Sequence, residues 1–203
     1  IFIVDAVTSL GTINVEVDKW KIDAIYSCSQ KGLSCPPGAS PVSFSTKAIN
    51  KMKNRVNSIP NWYLDMTEII KYWGGNQRAY HHTAPINMMY ALYQSLRDLI
   101  DEGIEDSIMR HQKVHEELVS SLSEMELSFL VDKEFRLPSL NAIIIPNGID
   151  DIFVRSKLLN EYNIEIGGGL GPFAGKVWRI GLMGHSARKE NVITLVNALK
   201  DIL

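Results

Sequence analysis

The sequence holds few cysteines, no long apolar run and almost no net charge, and each shortage removes a class of protein. Its two cysteines, Cys28 and Cys35, lack the pair-and-pair spacing of a zinc site or a CxxC redox motif. Reduced thiols are the expectation, and with them an intracellular, reducing compartment. No apolar run approaches the roughly 20 residues that span a bilayer, and the opening IFIV is too short for a signal-peptide core. A membrane location is not expected. Twenty-one Lys and Arg face 23 Asp and Glu, for a formal net charge of -2, and the basic residues are scattered. Nucleic acid is therefore not an expected partner. What remains is a globular chain: 203 residues, 45% hydrophobic and 22% charged, are enough for a sizeable core and one or two domains.

The chain opens without methionine as IFIVDAVTS, which reads at once as a buried strand over residues 1–4 and leads us to expect that a domain begins upstream. Further short strands are expected at residues 13–17 (INVEV), 22–27 (IDAIYS) and in PVSFS after the PPG turn. Residues 48–55 read as helix, and Pro60 with the aromatic stretches NWYLD and KYWGGN as an irregular connection. From Ala84 the period changes. Ile86, Met89, Tyr90, Leu92, Tyr93, Leu96, Leu99 and Ile100, then Ile104, Ile108, His111, Val114, Leu118 and Leu122, recur at spacings of three and four. This predicts one long helix or two joined near Gly103, with a stripe for packing and no chemistry of its own. LNAIIIP is a strand, residues 151–162 a helix, NIEIGGG a strand entering a glycine loop, KVWRIGLMG a strand, and residues 187–203 a closing amphipathic helix. Short strands alternating with helices indicate an α/β sheet followed by a compact α+β domain, with a boundary at residues 101–104.

Two residues stand out chemically. Asp5 follows an apolar strand, where a carboxylate either caps the strand end or meets a cation or hydrogen-bond donors. Lys31 sits in YSCSQKGLSCPPG among small, weakly polar residues, an environment for a lysine held against something. An acid at one strand end and a lysine beyond a later strand are the pair that a pyridoxal phosphate site requires. Arg179, within the apolar VWRIG, is either an interdomain ion-pair partner or a carboxylate fork. His81 and His82 could mark a metal site, but two adjacent histidines diverge and make no site alone, so no metal is expected. GGGLGP is followed by a strand and does not open a helix, so the dinucleotide-binding fingerprint fails its context test.

Together VDAVTSLG, YSCSQKGLSCPPG, YHHTAP, GGGLGP and GKVWRIGLMG resemble, in family order and over nearly the whole chain, the alanine–glyoxylate and serine–pyruvate aminotransferases of class V. The resemblance implies a fold-type I transferase dependent on pyridoxal 5'-phosphate. Residues 1–102 would be the end of its large mixed-sheet cofactor domain and residues 103–203 its small α+β domain. It implies Lys31 as the Schiff-base lysine and proton shuttle, its amine buried and its pKa lowered, and Asp5 as the partner of the pyridine nitrogen. Gln30 would reach the cofactor phosphate. Tyr80 and Thr83 would be phosphate contacts lent by the neighbouring subunit of a homodimer, and Arg179 the substrate-carboxylate residue.

The implied reaction is ping-pong transamination from alanine or serine to glyoxylate or pyruvate. A 3-hydroxykynurenine transaminase shares these motifs and differs in the side-chain pocket. A desulfurase-like lyase would need a mobile catalytic cysteine, which neither Cys28 nor Cys35 supplies. An inactive chain that only dimerises is the non-enzymatic alternative. The terminal Asp201, Ile202 and Leu203 do not resemble the SKL-type peroxisomal signal. Peroxisome, mitochondrion and cytoplasm are not separated by these features.

Overall fold

Two three-stranded sheets lie on either side of one glycine in a computed structural model that describes residues 1–74 and 79–203. The first joins β1 (Ile3–Asp5), β2 (Ala24–Tyr26) and β3 (Val42–Phe44) in that order, β1 parallel to β2 and β3 antiparallel to it. The second orders β4 (Leu140–Ile144), β6 (Val177–Gly181) and β5 (Gly167–Gly168), with β6 central and all pairs antiparallel. Six helices complete the mixed α/β chain among the described residues: α1 (Thr46–Lys53), α2 (Met66–Gly74), α3 (Ile86–Glu102), α4 (Ile104–Glu124), α5 (Asp151–Tyr162) and α6 (Lys189–Ile202).

The helix ends follow from local chemistry. Ser45 caps α1 by accepting from the Ala48 N–H, and Asp150 caps α5 by accepting from the Phe153 N–H. Asn163 ends α5 in the left-handed region at φ 56°. Gly103, at φ +94°, separates α3 from α4, as the sequence leads one to expect.

The main core lies around the second sheet. Trp178 and Ile143 from its strands, Leu118 and Leu122 from α4, Leu158 from α5 and Leu199 from α6 are at most 2% exposed, each contributing about 1.5–3 kcal/mol of apolar burial. A smaller cluster of Leu33, Cys35 and Leu92 sits where α3 packs on the loop after β2.

Several expectations are corrected. INVEV is not a strand. Residues 13–22 bond locally, with the Trp20 N–H on the Glu16 carbonyl and the Ile22 N–H on the Val17 carbonyl. The opening strand is not buried, since Ile1, Phe2 and Ile3 are about half exposed or more and β1 forms the edge of its sheet. NWYLD and KYWGGN are largely ordered: Trp62–Leu64 is a 3-10 turn, and Asp65 starts α2 by accepting from the Thr67 N–H. Gly75 and Asn76 lie outside the described residues. The apolar stripe of α3 is exposed at Ile86, Tyr90, Tyr93 and Ile100.

Candidate active site

β1 and β2 pair in parallel with Asp5 opposite Tyr26, so both strands deliver their following loops to one edge of the sheet. In an open α/β sheet that carboxyl edge is where ligands bind. Asp5 closes β1, and its carboxylate is fixed at both oxygens: Oδ1 accepts from the Val7 N–H at 2.8 Å and Oδ2 from the Tyr26 hydroxyl at 2.9 Å. The Asp5 bond in turn pushes the Tyr26 hydroxyl above its ordinary pKa. Asp5 thus both caps the strand end, through the Val7 N–H, and meets a further hydrogen-bond donor, the Tyr26 hydroxyl.

Lys31 lies in the turn after β2. Its backbone carbonyl accepts from the Ser34 N–H at 3.0 Å, while its ammonium has no hydrogen bond or ion pair among the described residues. Full burial was expected of this residue, and the structure buries it in part. Lys31 is half-buried because its neighbours face inward in its place: Leu33 and Cys35 join the smaller core, and Ser29, fully buried, donates to the Pro36 carbonyl at 2.7 Å and accepts from the Ala39 N–H at 3.3 Å. The small residues around the lysine thus build a rigid turn that presents it. Gln30 is exposed, and its side chain is likewise without a protein partner among the described residues.

Arg179 stands on β6 opposite Gly167 of β5. Alternation puts Trp178 and Ile180 into the core and Arg179 on the other face, half-buried. Its Nε donates to the Gly168 carbonyl at 2.7 Å, which leaves both terminal nitrogens without a protein acceptor among the described residues. A side chain at 167 would press on this guanidinium, since a Cβ there would lie 3.3 Å from Nη2. At 169 a Cβ would come within 1.9 Å of the Phe173 carbonyl oxygen. The glycine run therefore lets the arginine lie flat along β5, an anchored fork open to a carboxylate. No acid pairs with Arg179 among the described residues, so the ion-pair alternative is not met.

Tyr80 and Thr83 are exposed and hydrogen-bonded to each other through their hydroxyls. No hydrogen bond or ring contact ties them to Asp5 or Lys31 among the described residues. Between them His81 stacks on Trp62 with ring centroids 4.0 Å apart. The two histidines do not diverge as expected, because their Nδ1 atoms meet at 2.7 Å. His81 Nε2 faces the Trp62 carbonyl at 3.1 Å and must donate to it. In the neutral pair His82 Nδ1 then donates to His81 Nδ1, so these nitrogens are committed to each other. No three His, Cys, Asp or Glu side chains gather into a metal-binding group among the described residues.

Sequence reasoning missed Tyr26 as the partner of Asp5, which only the parallel register reveals. It also placed His111 in an apolar stripe. The imidazole is 1% exposed, with Nδ1 2.6 Å from the Ser107 carbonyl and Nε2 accepting from the Gly184 N–H at 2.9 Å. Burial holds it below the ordinary histidine pKa.

The chain matches the family model "Aminotransferase class-V" over residues 1–192. It is 40% identical over 206 residues to an alanine–glyoxylate aminotransferase of Rattus norvegicus, covering all of this chain and 50% of that one. The crystal structure of an alanine–glyoxylate aminotransferase from Nostoc sp. superposes with a TM-score of 0.95 at 52% identity, over 98% of this chain and 53% of that one. The ureidoglycine–glyoxylate aminotransferase of Bacillus subtilis superposes with a TM-score of 0.95 at 38% identity, over 100% of this chain and 52% of that one. The chain thus spans about half the length of the relatives it matches. Its fold is that of the fold-type I pyridoxal-phosphate-dependent transferases.

Proposed function

Because this chain belongs to the class-V aminotransferase family, we propose that the protein is a pyridoxal-phosphate-dependent aminotransferase that moves an amino group from alanine or serine to glyoxylate or pyruvate. The observation that carries this reading is a fixed carboxylate, Asp5, and an unpaired lysine, Lys31, at the carboxyl edge of two hydrogen-bonded parallel strands. The donor set fits the cofactor: an anion for its ring nitrogen, an amine for its aldehyde, and amide and hydroxyl groups for its phosphate.

Pyridoxal phosphate, when bound, supplies a carbonyl that condenses with amines and a ring that accepts electrons from the substrate α-carbon. The residues of this chain do the rest. Asp5, immobilised by Val7 and Tyr26, holds a proton at the ring nitrogen. The Lys31 amine takes the proton from the substrate α-carbon and returns it on the second stage. Arg179 offers two terminal nitrogens to the α-carboxylate, a group that alanine, serine, glyoxylate and pyruvate all carry, so one fork serves both half-reactions. Gln30 reaches the phosphate. The exposed hydroxyls of Tyr80 and Thr83 contact the phosphate bound in the neighbouring subunit, which makes the site shared in a homodimer. We place the large-domain portion at residues 1–102 and the small domain at residues 103–203, meeting at the Gly103 break.

Borohydride reduction of the cofactor-loaded complete protein, followed by peptide mass analysis, should find the pyridoxyl group on the peptide containing Lys31. A label on another lysine, or no label, sinks the assignment. Initial rates with alanine and glyoxylate should give the parallel double-reciprocal lines of ping-pong exchange. Faster turnover of 3-hydroxykynurenine or (S)-ureidoglycine would move the substrate assignment and leave the chemistry in place.

A further inference from the structure

The Lys31 loop and the Arg179 strand belong to different sheets, yet their separation must be held closely if one substrate is to meet both. They come together at Gly184, in the turn after β6. Gly184 has φ +58°, and a Cβ on it would lie 2.1 Å from Ser34 Oγ, 3.1 Å from the Lys31 carbonyl oxygen and 3.2 Å from the Gly32 carbonyl oxygen. The next residue, His185, donates its N–H to Ser34 Oγ at 2.8 Å. The turn after the arginine strand therefore rests directly on the backbone of the lysine loop.

Helix α4 grips that turn from the other side. His111 Nε2 accepts from the Gly184 N–H, and Arg110 Nη1 donates to the Gly184 carbonyl at 2.9 Å and the Ala187 carbonyl at 3.0 Å. Arg110 is braced by Glu102 of α3 through Nε at 2.5 Å and Nη2 at 2.9 Å. Since Nε2 accepts, His111 is the neutral tautomer with its proton on Nδ1, donated to the Ser107 carbonyl. Ser107 itself donates to the Gly11 carbonyl at 2.9 Å, in the loop that follows Asp5. One face of α4 thus holds the loop after Asp5 and the turn after β6, and through that turn the lysine loop. Filling space between two units needs only apolar side chains. Burying Ser107 and His111 at 1% exposure incurs a cost that only satisfied hydrogen bonds offset.

Resting on the aminotransferase reading above, we propose that His111 is a positioning residue for transamination: its Nε2, with Arg110 beside it, clamps Gly184 and thereby sets the Lys31 loop against the strand that carries Arg179. It touches neither substrate nor cofactor and acts through Gly184 and Ser34. A displacement of about 1 Å between reacting groups is enough to lower a rate about a hundredfold.

The test compares three substitutions in the complete, cofactor-loaded protein. His111→Gln places an amide oxygen where Nε2 accepts. His111→Asn keeps a donor near Nδ1 and loses the distant acceptor, and His111→Leu loses both. Asn and Leu should lower kcat/KM about tenfold to a hundredfold and speed hydrogen exchange at the Gly184 and His185 amides, and Gln should restore both to within a few-fold of the parent. Should the Leu form not fold, Ser34→Ala breaks the same link from the loop side and should give the same loss. Parental kcat/KM in Asn and Ser34→Ala overturns the proposal. So do losses that follow the melting temperature alone, with Gln no better than Asn. If the parent protein neither loads Lys31 nor turns over, the aminotransferase reading fails, and the exchange data still decide whether His111 clamps Gly184.

Discussion

Tyr26 donates its hydroxyl to Asp5 Oδ2 at 2.9 Å across the directly paired ends of β1 and β2. The bond restrains a carboxylate whose place matters only if a cationic ring nitrogen sits against it. Tyr26→Phe keeps the ring and removes one donor, while the Val7 N–H still holds Oδ1. The expected loss is about 1 kcal/mol, or roughly a fivefold fall in kcat. Asp5→Asn removes the charge itself and should cost far more. Steady-state rates for both variants check the order, and equal losses would contradict it.

Arg179 gives Nε to the Gly168 carbonyl and keeps both terminal nitrogens free of protein acceptors among the described residues. Lysine at this position keeps the charge but cannot both hold Gly168 and present a fork. On the proposed transamination, Arg179→Lys should raise KM for alanine and for glyoxylate together, each by about ten- to a hundredfold, because both would bind through the same group. A rise confined to one substrate would show that the carboxylates use different sites.

Much of the second half of this fold was legible in the sequence because its signals are local. The helix over residues 151–162 and the glycine break between α3 and α4 were read from periodicity and punctuation alone, although Asp150, the cap of that helix, was not. The α2 helix was missed although Asp65-Met66-Thr67-Glu68 is a capping-box pattern, because Pro60 and the aromatic residues outweighed it. INVEV was misread because alternating apolar residues describe a strand only where a partner strand exists, and this segment closes on itself. Asp5, Lys31 and Arg179 were found as isolated residues. Tyr26 and His111 were not, since their roles come from register and from contacts between distant segments.

Acid should lower the stability of the protein over two ranges of pH. His111 and His115 are buried, and burial holds each below the ordinary histidine pKa of 6.5. Between those lower values and 6.5 the unfolded chain takes up protons that the folded chain refuses, so stability is full above pH 6.5 and falls as the pH drops through the folded values. Asp23 behaves alike at lower pH. The Lys47 ammonium, the Phe2 N–H and the Ser45 hydroxyl hold its carboxyl at about 2, against an ordinary 3.8. Its contribution is present above pH 3.8 and lost toward pH 2. Melting temperature against pH should show both losses, and His111→Gln should reduce the upper one to the part that His115 contributes and leave the lower one unchanged.

Gly32, next to Lys31, is where the loops after β1 and β2 touch. Its φ is one that any residue can adopt, so the constraint is space alone: a Cβ would lie 2.2 Å from the Leu10 carbonyl oxygen and 2.7 Å from Thr12 Cγ2. A backbone carbonyl in a hydrogen-bonded turn cannot step aside as a long side chain can. Gly32→Ala should therefore cost about 3 kcal/mol, at the upper end of overpacking, and spread the loops that carry Asp5 and Lys31. Gly74, at the end of α2, has nothing among the described residues within 4 Å of the position a methyl group would take, and Gly74→Ala should be neutral or stabilise by up to about 1 kcal/mol through the unfolded chain. Denaturant midpoints of the two variants should move in opposite directions, or at least differ by the full cost of the Gly32 clash. If Gly32→Ala unfolds at the parental midpoint, the two loops do not pack as closely as the Leu10 contact requires.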